Sequence, residues 1–474
     1  MKRITIKTVS LLLTLLLLSA SSVFAFASDA PAASGACGEN LTWTLDSEGT
    51  LTISGTGDMD LWMADFTGND AIVRIVAEPG VTGISDFSGC ENLVSASLPD
   101  GLLTIGDGAF SDCERLASIN LPDSLKQVGT GILTNTAIYR DETQWTDGLL
   151  YVDHCLLKAK SDIAGSVVIR DNTVVIAGLA FYNCAGMTDI TMPGSVVGIG
   201  RSAFADCASL NEIDLGGHLC SIGKDAFLRT GAYNNEANRK NGVLYIDGYC
   251  IETQKTVAGS VSVVGGTSGI ADYAFDNCDE ITSVTIPDSV SFIGKGAFND
   301  CGKLRQVTLP SGITAIESKC FNCCEKLVSA AIPDGVERIG DAAFFGCRSL
   351  TEASIPESVR VIGEAAFGST GIHKVSIPSS VEVLGRCCFG YDGITDVTDG
   401  YTEYGRGPED FTIVCEKDSP AYHYAIENQL KTEEPASQNG SDNAEQLSSI
   451  AQFFKRIADF FKKIAEFFRN LFSK

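Results

Sequence analysis

Cysteine is the residue whose number and spacing most readily suggest chemistry in this chain. There are 17 cysteines, and the stretch CFNCC places Cys320 and Cys323 in the C-x-x-C spacing of many redox and zinc sites. No second C-x-x-C pair and no nearby histidine accompany it. Because a structural zinc ion needs four ligands, the spacing alone does not predict a metal site.

Other catalytic patterns are weaker. GIGRSA matches a dinucleotide-binding fingerprint at Gly198, Gly200 and Ala203, but no alternation of strands and helices surrounds it. His154 lies beside Cys155, the four histidines are scattered, and there is no G-x-S-x-G motif. We therefore expect no enzyme activity, no cofactor and no metal ion.

A fixed period explains most of these residues. Phe298, Phe321, Phe344 and Phe367 follow one another at steps of 23 residues, and the segments between them, such as LRQVTLP, alternate apolar and polar residues as strands do. Such a unit cannot bury its apolar side alone and must stack on copies of itself. The period predicts a repeat solenoid of 23-residue units, mostly β with short helical turns.

Twelve such units occupy residues 81–395, and two steps between successive units are 48 residues instead of 23. The long steps contain matching inserts near residues 138–168 and 232–262, which are 94 residues apart. In each insert, alternating apolar residues flank an Asp-containing turn, which is typical of a β-hairpin. We expect the inserts to be hairpins that project from one continuous solenoid.

The period also places eight of the 17 cysteines at one position of the repeat unit. Thr occupies the same position at 136, 230 and 370, and Thr forms no disulfide, so we expect buried free thiols. The cysteines three residues after a repeat Phe are Cys90, Cys113, Cys184, Cys207, Cys278, Cys301, Cys324 and Cys347.

The unit L-x-x-V-x-I-P-x-x-V-x-x-I-G-x-x-A-F-x-x-C resembles the BspA-like class of leucine-rich repeat. The insert NGVLYID and the opening CGENLTWTLDSEGTLTISGTGDM resemble features that accompany this class, so the resemblance covers about residues 37–430. It implies a secreted or surface protein that binds host or matrix proteins, as the adhesins of the family do. The family supplies no catalytic residues.

Both ends of the chain differ from the repeats. Residues 1–27 have a basic start, an apolar run and small residues at Ala25 and Ala27, which predict a secretory signal peptide and an extracellular protein. We expect a β-hairpin cap at 37–80, a C-terminal cap at 411–430 and a flexible linker at 431–446.

Charge is segregated along the chain. The formal net charge is −25, although the signal peptide and residues 447–474 are both basic, so the segment between them is more acidic still. An acidic body repels phosphate backbones, and nucleic acid is therefore not expected as a partner.

Two groups of residues are candidates for binding an extracellular or host protein. On the predicted strands, residues beside the buried position point away from the core, and a solvated face with no partner is the simpler explanation of their polarity. Aromatic residues concentrate in the inserts, where covering the hairpins' own small cores is the alternative. The candidates are Glu212, Asp214, Gln306, Glu352 and Lys374 on the strands, and Tyr139, Trp145, Tyr151, Tyr233, Tyr245 and Tyr249 in the inserts.

Residues 447–474 predict a separate basic amphipathic helix. Paired phenylalanines with a basic polar face favour lying in an anionic membrane or envelope surface, whereas the strict seven-residue repeat favours self-association into a helical bundle, and both remain open. The apolar face comprises Ile450, Phe453, Phe454, Ile457, Phe460, Phe461, Ile464, Phe467, Phe468 and Leu471, and the polar face includes Lys455, Lys462 and Lys463.

Two hypotheses for function follow. In the first, the solenoid is a non-catalytic, adhesin-like module that binds a partner protein, and the tail retains it at a surface. In the second, the chain is a self-assembling structural component of the envelope, in which the tail forms oligomers and the solenoid is a spacer. Binding of extracellular host proteins distinguishes the two.

Overall fold

The computed structural model describes residues 33–38, 40–60, 63–396 and 403–435, and it shows the predicted mostly-β repeat solenoid. The predicted signal peptide, most of the predicted linker and the predicted tail helix lie outside these residues.

A typical repeat unit contains a longer strand, a two-residue strand and a tight double turn. In the unit that contains Phe321, the longer strand Gln306–Thr308 exposes its two outer residues and buries Val307. The turn places Lys319 and Cys323 at φ values of 59° and 58°, a left-handed conformation that reverses the chain on both sides of Phe321. This geometry directs the phenylalanine inward, where it is fully buried.

The phenylalanines stack in the interior of the solenoid. Neighbouring stacked rings have centroids 4.8–5.6 Å apart, from Phe66 to Phe110, from Phe181 to Phe227 and from Phe275 to Phe389. The first of these rings, Phe66, precedes the predicted start of the repeats, and a tilted Phe411 follows the predicted last unit at 6.3 Å from Phe389. The packed stack is thus longer than residues 81–395.

The first block of the solenoid begins with an antiparallel β-meander that passes directly into parallel repeats. One sheet has the order β1-β2-β3-β5-β7-β9 and the other the order β10-β8-β6-β4. The strands are β1 (Ala33–Gly38), β2 (Leu41–Leu45), β3 (Thr50–Gly55), β4 (Gly57–Asp58), β5 (Arg74–Ala77), β6 (Val81–Ile84), β7 (Ser95–Ser97), β8 (Thr104–Ile105), β9 (Ser118–Ile119) and β10 (Gln127–Val128).

The second block begins with the first insert. A short helix α1 (Ala137–Arg140) and a 3₁₀ turn (Glu142–Gln144) lead into sheets of order β11-β12-β13-β15-β17-β19 and β14-β16-β18. The strands are β11 (Trp145–Thr146), β12 (Leu149–Val152), β13 (Cys155–Ala159), β14 (Ala164–Val168), β15 (Val175–Ile176), β16 (Gly186–Thr191), β17 (Gly198–Ile199), β18 (Glu212–Asp214) and β19 (Ser221–Ile222).

The third block repeats this arrangement after α2 (Gly231–Asn234) and a 3₁₀ turn (Glu236–Asn238). Its sheets are β20-β21-β22-β24, β23-β25-β26-β28 and β27-β29-β30-β32. The strands are β20 (Arg239–Lys240), β21 (Val243–Ile246), β22 (Tyr249–Thr253), β23 (Gly259–Ser262), β24 (Gly269–Ile270), β25 (Ile281–Thr285), β26 (Gln306–Thr308), β27 (Ala315–Ile316), β28 (Ser329–Ala330), β29 (Arg338–Ile339), β30 (Val361–Ile362), β31 (Lys374–Ser376) and β32 (Val383–Leu384).

The C-terminal end closes with a hairpin of β33 (Tyr391–Asp396) and β34 (Glu403–Arg406), then β35 (Thr412–Val414), helix α3 (Pro420–Glu427) and β36 (Lys431–Glu433). Ser419 caps α3 by accepting a hydrogen bond from the amide of Tyr422. The linker prediction was wrong at its start, because Lys431–Glu433 pairs in parallel with Thr412–Val414.

The inserts do not project from the solenoid, which corrects the sequence-based prediction. Each hairpin lies between two blocks and buries both faces, so the interior consists of three hydrophobic clusters instead of one. In β12, for example, Leu150 and Val152 pack into the first cluster, whereas Leu149 and Tyr151 pack into the second.

Equivalent hydrogen bonds join the blocks. Gly178 donates its amide to Val128 at 2.9 Å, and Asp272, 94 residues later, donates its amide to Ile222 at 2.8 Å. The duplicated segment therefore repeats both the hairpin and the junction that the hairpin forms.

Candidate binding surfaces

The exposed face of the longer strands is polar, and the part of this face in the second block of the solenoid is acidic. Glu212 and Asp214 are exposed on either side of Ile213, and the parallel pairing of β16 with β18 places Asp189 beside Glu212. We call Asp189, Glu212 and Asp214 the acidic strand face. Hydrogen bonds from the hydroxyls of Ser166 and Thr188 lower the pKa of Asp189, so this carboxylate is ionised at neutral pH.

The other strand candidates lie in the third block. Gln306, Glu352 and Lys374 are all exposed, on three different repeat units. The ammonium group of Lys374 contacts the carboxylate of Glu433 in the last described strand. Gln306 and Lys374 thus lie on the exposed face of β26 and β31, whereas Glu352 lies outside the described strands, and the three side chains are not gathered into one cluster.

Two insert aromatics are inaccessible, and their assignment to a partner-binding surface was wrong. Tyr249 is 1% exposed and Tyr151 is 6% exposed, because both faces of each hairpin are covered by neighbouring blocks. Their hydroxyls accept hydrogen bonds from the amides of Leu219 and Arg170, respectively, at 3.3 Å. These two tyrosines stabilise the block junctions.

The other four insert aromatics are half-buried and brace the entry to each hairpin. The indole of Trp145 donates to the carbonyl of Tyr139 at 3.2 Å, and their rings meet edge to face. Tyr233 donates its hydroxyl to Glu252 at 2.5 Å, and Tyr245 accepts from the amide of Val264 at 3.2 Å. Each ring is engaged within the chain, so none forms an exposed aromatic patch.

The cysteines are free, and those at the repeated position are buried. The thiols of Cys113, Cys207, Cys301, Cys324 and Cys347 each lie 3.0–3.1 Å from the carbonyl of the Phe in the preceding unit. In the C-x-x-C stretch, Cys320 is buried and Cys323 is half-buried, and desolvation raises the pKa of both thiols. A thiol with a raised pKa stays protonated and is a poor nucleophile.

Other chemistry suggested by the sequence does not assemble into a site. His154 lies 2.6 Å from the carboxylate of Asp123 on the neighbouring block, whereas Cys155 is buried in the first cluster. Within the described residues, no three His, Cys, Asp or Glu side chains group closely enough to hold a metal ion. The helices of the described part are all too short or too polar to cross a membrane.

A feature that the sequence reasoning missed is the open edge of two sheets. Strands β14 and β23 each have a single partner strand in the described part of the chain, β16 and β25, respectively. A cavity of about 510 Å³ runs beside β23 and is lined by Lys240, Val243, Gln254, Val257, Ser260 and Ser262. The signal in the sequence was the renewed alternation AGSVV and AGSVS after each hairpin, which starts a new sheet.

A family model described as a BspA type leucine-rich repeat region matches the chain. It matches in six copies over residues 71–144, 159–258 and 268–395, which together exceed half of the sequence. The match spans the three blocks and includes most of each insert. No curated protein is significantly similar to the chain.

Three solved structures illustrate the similarity. A leucine-rich cell surface protein from Faecalibacterium prausnitzii is 23% identical, with 76% of this chain and 95% of that chain covered and a TM-score of 0.29. A leucine-rich repeat protein from Bacteroides ovatus is 19% identical, with 84% and 99% covered and a TM-score of 0.30. The pneumococcal vaccine antigen PcpA is 14% identical, with 85% and 98% covered and a TM-score of 0.30.

Proposed function

Because the chain belongs to the BspA-type leucine-rich repeat family, we propose that it is a secreted or cell-surface protein that binds another extracellular protein without catalysis. The observation that supports this proposal most directly is the exposed polar face of the longer strands, which continues through all three blocks. Repeated strands form a rigid, extended surface of the kind on which solenoid proteins bind their partners.

The acidic strand face is the part of this surface with the most distinctive charge. Asp189, Glu212 and Asp214 lie on two adjacent strands of one sheet. Carboxylates in this arrangement attract a basic partner and accelerate its association, and the attraction weakens as ionic strength rises. We therefore expect the partner to present a basic surface.

The experiment that tests the proposal is a binding array of extracellular host and matrix proteins probed with the full chain. A double variant, Glu212→Lys with Asp214→Lys, changes the acidic strand face and is expected to lose binding. The matched control, Glu91→Lys with Asp100→Lys, makes the same change in charge at exposed positions of the first block. Equal binding by both variants argues against the strand face, and an array without any bound protein argues against the proposal.

Retention at a surface is the second part of the proposal and is assigned to residues 447–474. The basic, phenylalanine-rich pattern of this segment is compatible with an anionic membrane or envelope surface. The seven-residue spacing of its isoleucines supports the alternative, a self-assembling envelope component in which the segment forms oligomers. Oligomers that disappear when residues 447–474 are deleted, together with an empty binding array, favour this alternative.

A further inference from the structure

Strands β14 and β23 present unpaired backbone groups along one side. Ile169 donates its amide to Thr191 of β16 at 3.0 Å, and the direction of the amides alternates along a strand. The amides and carbonyls of Ser166 and Val168 therefore point away from β16. No backbone hydrogen bond within the described chain engages them, and the same reasoning applies to Ser260 and Ser262 in β23.

Neither edge has the usual protection against strand pairing. Natural sheets block exposed edges with proline or with charged residues such as Lys, and the sequence KTE places charges at the terminal strand β36. The sequences of β14 and β23 are AGSVV and GSVS, without charge or proline. Val168 is 71% exposed, and the irregular register at Gly165–Ser166 is confined to the start of β14. Both edges can accept an added strand.

A groove lies beside the second of these edges, β23. The cavity of about 510 Å³ beside β23 is lined by Ser260–Ser262 of the strand and by the hairpin residues Lys240–Val243, Gln254 and Thr256–Ala258. The first insert has the same elements 94 residues earlier. A cleft with an unpaired strand as one wall suits a single extended peptide, whose main chain binds the edge.

Charge distinguishes the edge of β14 from that of β23, and it favours a basic peptide over a second copy of this chain as the added strand. The sheet of β14 carries the acidic strand face, and Asp189 lies on the strand next to β14. A strand added to β14 would lie two strand spacings, about 10 Å, from Asp189, a distance that a Lys or Arg side chain largely spans. Pairing two copies of this chain would instead bring two acidic faces together on a protein of net charge −25.

We propose that β14 binds an extended, basic peptide segment of a partner protein by β-strand addition. The backbone of Ser166 and Val168 pairs with the peptide, and Asp189, Glu212 and Asp214 attract its cationic side chains. This inference rests on the proposed function, since it names the class of partner and the strand that receives it.

The test uses the full chain and a capped nine-residue peptide in which Lys alternates with Thr, labelled for fluorescence anisotropy. Val168→Pro removes an outward amide without affecting the bonds to β16, and it is expected to weaken peptide binding at least tenfold. Ser262→Pro, the equivalent change in β23, is the matched control and is expected to have no effect. Val168→Lys serves as a second variant should the proline variant not fold.

Two altered peptides separate the sources of affinity. N-methylation of alternate peptide amides keeps the charge but prevents strand pairing, and it is expected to abolish binding. Replacing Lys with Glu is expected to abolish binding through repulsion. Asp189→Asn with Glu212→Gln is expected to weaken binding and to reduce its dependence on salt.

Several results overturn the inference. Unchanged binding of the Lys-Thr peptide to Val168→Pro excludes strand addition at β14, as does full binding of the N-methylated peptide. Loss of binding in Ser262→Pro alone assigns the site to β23 and contradicts the charge argument. A dimer in sedimentation that Val168→Pro dissociates shows self-pairing instead. An array partner that binds wild type and Val168→Pro equally overturns this inference while the proposed function stands.

Discussion

The thiol of Cys301 lies 3.1 Å from the carbonyl oxygen of Phe275, a residue of the preceding repeat unit. The equivalent Thr230 behaves differently, because its hydroxyl donates to Phe227 of its own unit and accepts from the amide of Tyr233. The same position thus links two units in Cys301, whereas in Thr230 it caps the helix that begins an insert.

Cys301→Thr is expected to cost less than about 1 kcal/mol of folding stability, because a thiol is a weak donor and the new hydroxyl can bond within its own unit. Thr370 already does so, donating to Phe367 at 2.9 Å. Urea denaturation of the variant and of the reciprocal Thr370→Cys measures the difference. A loss above about 3 kcal/mol would mean that the bond between units is a major stabilising contact.

Alkylation under denaturing conditions directly tests whether the cysteines at the repeated position are free thiols. Mass spectrometry is expected to find Cys113, Cys207, Cys301 and Cys324 mostly reduced, since the structure pairs each thiol with a carbonyl oxygen. Consistent disulfides between neighbouring units would contradict this arrangement.

Phe298→Ala is expected to destabilise the protein by about 3–5 kcal/mol, because it removes a fully buried ring from the core. The ring stacks on Phe275 at 4.9 Å and on Phe321 at 5.3 Å. Phe298→Leu is the matched variant and should cost clearly less, since Leu133 occupies the equivalent position in another unit. Thermal and urea unfolding measure both, and a midpoint unchanged in the alanine variant would refute the core assignment.

The stack of buried phenylalanines could be predicted from the sequence, because a fixed period of 23 residues leaves one way to bury each ring. The role of the inserts could not be predicted in this way. A projecting hairpin with a small core of its own and a hairpin buried between two blocks both show alternating apolar residues. A signal was nevertheless present. All four residues of Leu149–Val152 are apolar, and all four are buried. A continuous apolar run is typical of a strand covered on both faces.

Tyr249→Ala tests whether an insert aromatic stabilises a junction or contacts a partner. The side chain is 1% exposed, so its removal is expected to cost about 3–5 kcal/mol of stability, as for a large buried aromatic. Tyr249→Phe keeps the ring, loses only the hydrogen bond to Leu219 and should cost about 1 kcal/mol. A variant that loses partner binding but unfolds as wild type does would restore Tyr249 as a binding residue.

Asp272 is expected to make the stability of the fold depend on pH. Desolvation raises the pKa of this carboxyl to about 7, with a further contribution from the charge of Glu317. Because the pKa of Asp272 is higher in the folded state than in the unfolded state, the contribution of Asp272 to stability is fully present in acid and decreases as pH rises towards 7.

Asp272→Asn should therefore stabilise the protein by about 4 kcal/mol at pH 8 and have little effect at pH 4. The asparagine can still accept the hydrogen bond that the carboxylate receives from the amide of Lys295. Urea denaturation at both pH values is the measurement. Equal effects at pH 4 and pH 8 would show that ionisation of Asp272 does not influence folding.

The segment 447–474 is expected to become helical on anionic vesicles. On a helix, the paired phenylalanines at 453–454, 460–461 and 467–468 share a face with the isoleucines, and the basic residues lie opposite. A peptide of these residues should gain helical circular dichroism with phosphatidylglycerol vesicles, and its binding should weaken as salt is added. Replacing the six Phe of these pairs with Ala, with the charges retained, is expected to abolish insertion. A peptide that ignores vesicles but becomes helical and oligomeric in plain buffer would establish self-association instead.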